Sequence, residues 1–125
     1  MEDKNKSTAL IIDDEPDICF LLNSILKKIN FTAETVNSIA AANTLLLSYH
    51  PSIIFLDNHL PDGLGVEFIE TIKIKNPEAK IIMITAHDSS TDRNLAYSQG
   101  VSDFIGKPFT KEAIHRSVKQ LLNSA

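Results

Sequence analysis

Side chains with metal-binding and nucleophilic chemistry follow several short apolar runs in this sequence. If those runs are strands of one parallel sheet, their carboxyl ends meet at one edge, and the side chains that follow them converge there. Two carboxylates about 4 Å apart repel by about 4 kcal/mol at an effective dielectric of about 20, so such a cluster is costly unless a cation occupies it. The all-oxygen donor set suits a hard divalent ion such as Mg²⁺. The side chains are Asp13, Asp14 and Glu15 after the first run, Asp57 after the third, Thr85 at the end of the fourth and Lys107 after the fifth.

The elements that must position these side chains alternate between two kinds of segment. Strand-sized apolar runs rich in β-branched residues are separated by longer stretches with apolar residues at helical spacing. Nearly all-apolar strands are buried on both faces, and their alternation with helices implies right-handed βαβ crossovers. The sequence therefore predicts an α/β domain: a doubly wound five-stranded parallel sheet in a three-layer (βα)5 sandwich. The predicted strands are 9–12, 31–36, 53–56, 81–85 and 101–105.

The weakest helical pattern lies at residues 89–100, where Ser, Thr, Asp and Asn have poor helix propensity. We still predict a helix there, with only Leu95, Ala96 and Tyr97 facing inward. In the first helix, the spacing predicts a core face that leaves Cys19 and Phe20 on the flank or outside. That core face consists of Ile18, Leu22, Ile25 and Ile29.

Composition and charge exclude several classes of protein. The chain has 125 residues, 43% of them hydrophobic and 22% charged, which fits a single globular domain. A net charge of −4 leaves no broad basic face for nucleic acid, and no apolar run approaches a membrane span. The polar N-terminus carries no secretory signal, so a cytoplasmic location is expected. A single cysteine excludes an internal disulfide and a cysteine-based zinc site.

We expect residues 1–7 to form a polar lead-in and residues 8–123 to form the domain. The chain ends directly after the last predicted helix, so no output domain is expected within it.

Together, the predicted side chains fit phosphoryl transfer onto an aspartate. This chemistry needs a divalent ion and a carboxylate that is free to attack phosphorus. It also needs an ammonium and a hydroxyl that can bind the phosphoryl oxygens. Asp57 is the natural nucleophile because it follows the central strand. The ordered set also resembles the receiver domain of bacterial two-component response regulators, with a flavodoxin-like fold, over residues 8–123. The resemblance rests on Asp13-Asp14, on residues 57–65 (DNHLPDGLG), on Thr85-Ala86 and on residues 104–109 (FIGKPF).

The resemblance implies a role for each matching residue. Asp57 would accept the phosphoryl group, and Lys107 would pair with Asp57 and then with the phosphoryl oxygens. Thr85 would bond a phosphoryl oxygen, and Phe104 would swing inward into the space that Thr85 vacates. Mg²⁺, with Mn²⁺ as an alternative, would be held by Asp14 directly, by Asp13 largely through water, by Asp57 and by the main-chain carbonyl of His59. The Lys107–Pro108 bond is expected to be cis.

The resemblance also implies partners for this chain. The donor would be a sensor histidine kinase or a histidine phosphotransfer protein, and the fourth helix, fifth strand and fifth helix would contact a downstream target or a second copy. The chain would be a signalling module and not an enzyme, apart from its own phosphorylation and dephosphorylation. We assign Phe20 and Pro108 to partner binding, with Phe20 as an aromatic anchor. The alternative for Phe20 is a ring half-buried against Leu21 and Ser24 of its own helix.

Several residues leave alternatives open. His59 and His87 stand at positions that line the access route of attacking water in such domains. They would tune the lifetime of the acyl phosphate, or bind a softer metal such as Zn²⁺ or Mn²⁺ with the acidic cluster, or be exposed loop histidines. Asn58 stands where the family has an apolar residue, and Val101 where it has alanine.

Three other functions compete with phosphorelay. The first is an interaction module that keeps the fold without being phosphorylated, but no expected site residue is missing. The second is a phosphatase of the haloacid dehalogenase type, which expects D-x-D where this chain has Asp57-Asn58-His59. The third is a flavodoxin-like nucleotide binder, which lacks a glycine-rich phosphate loop after the first strand.

Overall fold

Five main strands alternate with five α-helices in the computed structural model, which describes residues 7–123. The strands are β1 (Ser7–Ile12), β2 (Phe31–Val36), β3 (Ile53–Asp57), β4 (Lys80–Thr85) and β5 (Asp103–Gly106). The helices are α1 (Pro16–Lys27), α2 (Ile39–Leu45), α3 (Ile69–Lys75), α4 (Ser90–Gln99) and α5 (Lys111–Asn123). The strands form one parallel sheet in the order β2-β1-β3-β4-β5. This architecture confirms the predicted doubly wound α/β fold.

The helices pack on the sheet through two apolar layers, one on each face. Every residue of β3 is buried, and alternate side chains of the central strands enter opposite layers. One layer contains Leu10 and Ile54 with residues of α2 and α3, and the other contains Ile11 and Phe55 with residues of α1 and α5. The sheet is therefore a rigid platform for the residues that follow its strands.

The strand register makes β1 and β3 end at the same level of the sheet. Ile12 of β1 pairs with Leu56 of β3. The next residues, Asp13 and Asp57, therefore emerge side by side at the carboxyl edge. Asp57 in turn pairs with Ile84, one residue before Thr85.

Short irregular elements follow β3. His59–Leu60 and Gly63–Leu64 form a small antiparallel hairpin, and a 3-10 turn at Gly65–Phe68 leads into α3. Asp62 lies at the tip of this hairpin and accepts hydrogen bonds from the backbone N–H groups of Ile39 and Ala40, both 2.9 Å long. These bonds join the hairpin to the first turn of α2.

The structure corrects the predicted inward face of residues 89–100. Of the three side chains expected there, only Ala96 is buried, whereas Leu95 and Tyr97 are each 46% exposed. The reason is that α4 is polar around most of its circumference and buries a single small side chain. In α1, Leu22, Ile25 and Leu26 form the buried face, with Ile18 partly buried against the same layer.

The chain boundaries of the predicted domain are only partly described. Ser7, expected in the polar lead-in, is the first residue of β1, and residues 1–6 lie outside the described residues. Within residues 7–123, no helix has the length and apolar character that crossing a membrane would need.

Candidate functional site

Three carboxylates meet at the carboxyl edge of the sheet. Asp13 and Asp14 follow β1, and Asp57 is the last residue of β3. One oxygen from each of the three lies within 4.8 Å of the other two. The convergence predicted from the sequence is therefore present in the structure.

Lys107 supplies a positive charge to this cluster. Its Nζ lies 2.9 Å from Asp13 Oδ2, 2.5 Å from Glu15 Oε1 and 3.7 Å from Asp57 Oδ2. Its backbone N–H donates to the carbonyl of Thr85 at 2.9 Å, so the strand pairing continues to the residue that carries the ammonium. The sequence placed Glu15 near this edge, but nothing in its spacing showed that it would pair with Lys107.

Burial sets the electrostatics of the carboxylates. Asp13 is fully buried and Asp57 is 4% exposed, whereas Asp14 is exposed. Burial and the nearby charge of Asp13 raise the pKa of Asp57 to about 6, although Lys107 and two backbone N–H groups oppose the shift. Burial also raises the pKa of Asp13. Burial by itself lowers the pKa of Lys107, but its hydrogen bonds to Glu15 and Asp13 raise it above the usual value. The ionised cluster is therefore held at an energetic cost that one ammonium does not remove.

A hard divalent cation fits this cluster. The donors are all carboxylate oxygens, and the buried Asp13 Oδ2 is paired with the ammonium of Lys107 at 2.9 Å. Asp13 and Asp14 also line a cleft of about 560 Å³ beside α1 and α2, which leaves room for the water ligands that Mg²⁺ usually keeps. Sequence reasoning did not find this cleft.

The loop after Asp57 is fixed by a buried asparagine. Asn58 Oδ1 accepts from the backbone N–H of Val66, and its carbonyl accepts from that of Gly65, both at 2.8 Å. Gly65 is required because a Cβ there would lie 2.3 Å from the carbonyl oxygen of Asp57. The departure at Asn58 from the apolar residue of the family is thus explained by the bond from Val66 to Oδ1, which an apolar side chain does not make.

Thr85 is buried at the end of β4, next to the cluster. Its Oγ1 accepts from the backbone N–H of His87 at 3.1 Å. The bond holds Thr85 Oγ1 against the loop that follows β4, at the carboxyl end of the strand that pairs with β3.

Phe104, the residue expected to swing inward once Thr85 moves, packs against Arg93 of α4. The side chain is already inside, 5% exposed, and the guanidinium of Arg93 lies 4.8 Å from the ring centroid. Arg93 also pairs with Asp88 at 3.6 Å, so the loop after β4 is joined to α4. Sequence reasoning missed the contact because Arg93 and Phe104 are separated by a helix and a turn.

The remaining predicted residues are exposed. His59 and His87 are both exposed, and their ring centroids are 4.0 Å apart. The Lys107–Pro108 bond is cis, as expected, and Pro108 is exposed. Phe20 is 75% exposed, so the alternative of a half-buried ring is wrong.

Comparisons with known proteins agree with this geometry. The family described as response regulator receiver domain matches residues 9–119. The nitrogen assimilation regulatory protein NtrX of Azorhizobium caulinodans is 35% identical over 107 residues, which cover 84% of this chain. The chain spans only 24% of the length of that relative.

Solved structures share the fold. A two-component response regulator from Clostridium difficile has a TM-score of 0.90 and 25% identity, over 95% of this chain and 100% of that one. The receiver domain of a Pseudomonas aeruginosa sensor histidine kinase, solved with a magnesium ion coordinated in its active site cleft, has a TM-score of 0.85 and 21% identity. That match covers 95% of this chain and 99% of the other.

Proposed function

This chain belongs to the response regulator receiver domains, and on that premise we propose that Asp57 accepts a phosphoryl group from a phosphohistidine. The membership confirms the resemblance drawn from the sequence, and it makes the chain a signalling module of two-component systems. The observation that carries the proposal is the position of the Asp57 carboxylate, which is buried at the end of the central strand between Asp13 and Lys107. We take residues 8–123 as the receiver unit.

Asp57 supplies the nucleophile. A lone pair of one carboxylate oxygen attacks phosphorus, and an O–P bond forms while the P–N bond to the donor histidine breaks. The electron pair of the broken bond stays on the imidazole nitrogen, which takes a proton from solvent. Since the pKa of Asp57 is about 6, the carboxylate is mostly ionised at neutral pH and ready to attack.

We propose that Mg²⁺ is held by the carboxylates of Asp13, Asp14 and Asp57 and by the main-chain carbonyl of His59. The support is the oxygen donor set and the raised pKa of two of its carboxylates. Bound Mg²⁺ would offset the negative charge of the phosphoryl oxygens and of the attacking carboxylate. Mn²⁺ prefers the same oxygen ligands and is the alternative ion.

Lys107 and Thr85 are placed to bind the transferred group. The ammonium of Lys107, 3.7 Å from Asp57 Oδ2, pairs with a phosphoryl oxygen once the group is attached. The Thr85 hydroxyl accepts from His87 but has no acceptor for its own hydrogen among residues 7–123. It therefore has a donor available for a second phosphoryl oxygen.

The switch would pass from Thr85 to α4. Phosphorylation adds about two negative charges next to the Thr85 hydroxyl, and this charge draws the hydroxyl toward the new group. Phe104 already fills the inward position, so we propose that the change alters its contact with Arg93 of α4. The surface of α4, β5 and α5 would then contact a downstream target or a second copy of the chain. A few kcal/mol of differential interaction are enough to shift such an equilibrium.

The donor would dock on α1, next to the acidic cluster. Phe20 is 75% and Leu21 43% exposed, so they form an apolar patch on a helix that begins beside the site. Pro108, exposed next to Lys107, would extend the rim that the donor contacts. We propose a sensor histidine kinase or a histidine phosphotransfer protein as this partner, in the cytoplasm, where the single free thiol of Cys19 needs no disulfide partner.

The docking proposal is tested with Phe20→Ala. We expect slower phosphotransfer from the cognate kinase and unchanged labelling by a small phosphodonor. Leu47→Ala is the matched control, since Leu47 is 69% exposed and lies outside α1. Unchanged transfer to Phe20→Ala would exclude the anchor.

The phosphoacceptor proposal is tested by mass spectrometry after incubation with a small phosphodonor such as acetyl phosphate and Mg²⁺. The wild type should gain one phosphoryl group, whereas Asp57→Asn, or the wild type with chelator, should gain none. Asp62→Asn is the matched control and should be labelled, because Asp62 is an exposed carboxylate on the same loop. An unlabelled wild type would favour the unphosphorylated interaction module, and turnover of a phosphate monoester would favour the phosphatase.

A further inference from the structure

His59 and His87 come from two different loops, and their rings meet at the rim of the carboxylate site. His59 begins the hairpin after β3, and His87 lies in the loop after β4. The ring centroids are 4.0 Å apart and the ring planes are inclined by 41°. We propose that this imidazole pair binds a transition metal ion such as Zn²⁺, at a site separate from the carboxylates.

The nitrogens of both rings are available. Neither imidazole makes a hydrogen bond or ion pair with any other residue in the described range 7–123. A neutral imidazole offers one nitrogen lone pair, which is a ligand that Zn²⁺ prefers and Mg²⁺ does not. The histidine pair and the oxygen cluster would therefore select different metals, although they lie at the same edge of the sheet.

The ring geometry is compatible with a shared ion. Zinc–nitrogen bonds are about 2.1 Å long, so two nitrogens on one ion lie at most about 4 Å apart. The centroid of a ring lies about 3.2 Å from an ion bound in line with its nitrogen, so the centroids of two histidines on one tetrahedral ion are about 5 Å apart. The present 4.0 Å therefore has to widen by about 1 Å, which rotation of the two side chains provides. Nitrogen lone pairs lie in the ring planes, so rings stacked in parallel cannot direct them at one point, whereas planes inclined by 41° can.

The backbone holds both histidines in place before any ion binds. His59 pairs with Leu64 in the hairpin, and the N–H of His87 donates to Thr85 Oγ1 at 3.1 Å. Only side-chain rotation is then needed for the nitrogens to converge. Waters would complete the coordination, and the neighbouring carboxylates attract divalent cations to this edge.

A bound ion would tie the loop after β3 to the loop after β4, across the rim that leads to Asp57 and Thr85. We expect such a tie to slow phosphorylation. This consequence rests on the proposed function, whereas the metal site itself does not.

The site is tested by isothermal titration of the full chain with Zn²⁺, in the presence of saturating Mg²⁺ to occupy the carboxylates. We expect one Zn²⁺ per chain, with the affinity reduced about tenfold or more in His59→Ala and in His87→Ala. His50→Ala is the matched control and should bind like the wild type, because His50 is exposed before β3, at the opposite edge of the sheet. Absence of Zn²⁺ binding by the wild type, or equal affinity in all four proteins, overturns the proposal.

Two further measurements separate this inference from the proposed function. Asp57→Asn should keep its Zn²⁺ affinity, and a loss as large as that in His59→Ala would assign the ion to the carboxylates and overturn the proposal. With acetyl phosphate, Zn²⁺ should slow labelling of the wild type but not of the two histidine variants. If Asp57→Asn binds Zn²⁺ normally and the wild type is never labelled, the proposed function fails and the histidine site stands.

Discussion

Replacing Asp57 by asparagine should stabilise the metal-free protein at neutral pH. Asp57 is 4% exposed, and its carboxylate is ionised in the folded state next to Asp13. The pKa of about 6, compared with 3.8 for an unperturbed aspartate, is a difference of about 2 units. At about 1.4 kcal/mol per unit, ionised Asp57 destabilises the fold by up to about 3 kcal/mol. Because asparagine loses part of the hydrogen bonding to the backbone, we expect a net gain of about 1–3 kcal/mol.

The pH dependence of this gain has a definite sign. The folded pKa of Asp57 is raised, so the contribution of Asp57 to the free energy of unfolding is fully present below the unfolded pKa of 3.8 and is lost as pH rises through the folded pKa of about 6. The asparagine variant lacks this titration. The difference between the two proteins should therefore be small at about pH 4 and reach its full size above about pH 6.5.

Urea unfolding of both proteins at several pH values, in chelator, measures this difference directly. Glu78→Gln is the control, because it removes an exposed carboxylate outside the cluster and should change the free energy of unfolding by less than about 0.5 kcal/mol. Added Mg²⁺ should raise the stability of the wild type more than that of Asp57→Asn. If Asp57→Asn is less stable than the wild type in chelator at neutral pH, the claim that repulsion and burial dominate this carboxylate is refuted.

Three further substitutions probe the parts that surround this carboxylate. Lys107→Gln should lower stability by about 3 kcal/mol at neutral pH and by less at about pH 5, as measured by urea unfolding, because it leaves buried carboxylates without a cation. Gly65→Ala should cost about 2–3 kcal/mol, since its Cβ meets the carbonyl of Asp57 at 2.3 Å, and a wild-type Tm would contradict this. Asn58→Ala should cost about 1–2 kcal/mol in the same unfolding assay, because the N–H of Val66 loses its acceptor.

Much of the fold was predictable because it follows from local patterns. Apolar runs at 53–56 and 81–85 have the length and composition of buried strands, and both lie within the observed β3 and β4. The pattern was least informative at α4, where Leu95 and Tyr97 were expected inside and are exposed. A helix that buries one alanine has no strong periodicity of apolar residues from which its inward face could be predicted.

The acidic cluster was predictable for a topological reason. Parallel strands share one carboxyl edge, so residues that follow different strands converge whatever their separation in sequence. Contacts that depend on side-chain reach were not predictable in this way. One such contact places the guanidinium of Arg93 over the ring of Phe104, and another brings together the rings of His59 and His87. Each contact joins segments whose relative placement the sequence pattern does not specify.

The net charge of the site explains why Lys107 pairs with the exposed Glu15 as well as with the buried Asp13 and Asp57. Asp13, Asp14, Glu15 and Asp57 carry four negative charges when ionised, and Lys107 offsets one of them. A divalent ion leaves the group slightly negative, so an incoming phosphoryl group needs the ammonium as well. Of the carboxylates that contact Lys107, Glu15 can be released at the lowest cost, because its side chain is 59% exposed and water solvates it when the ammonium turns away. Asp13 is fully buried and cannot be released in this way, so Lys107 would keep that contact while it exchanges Glu15 for a phosphoryl oxygen.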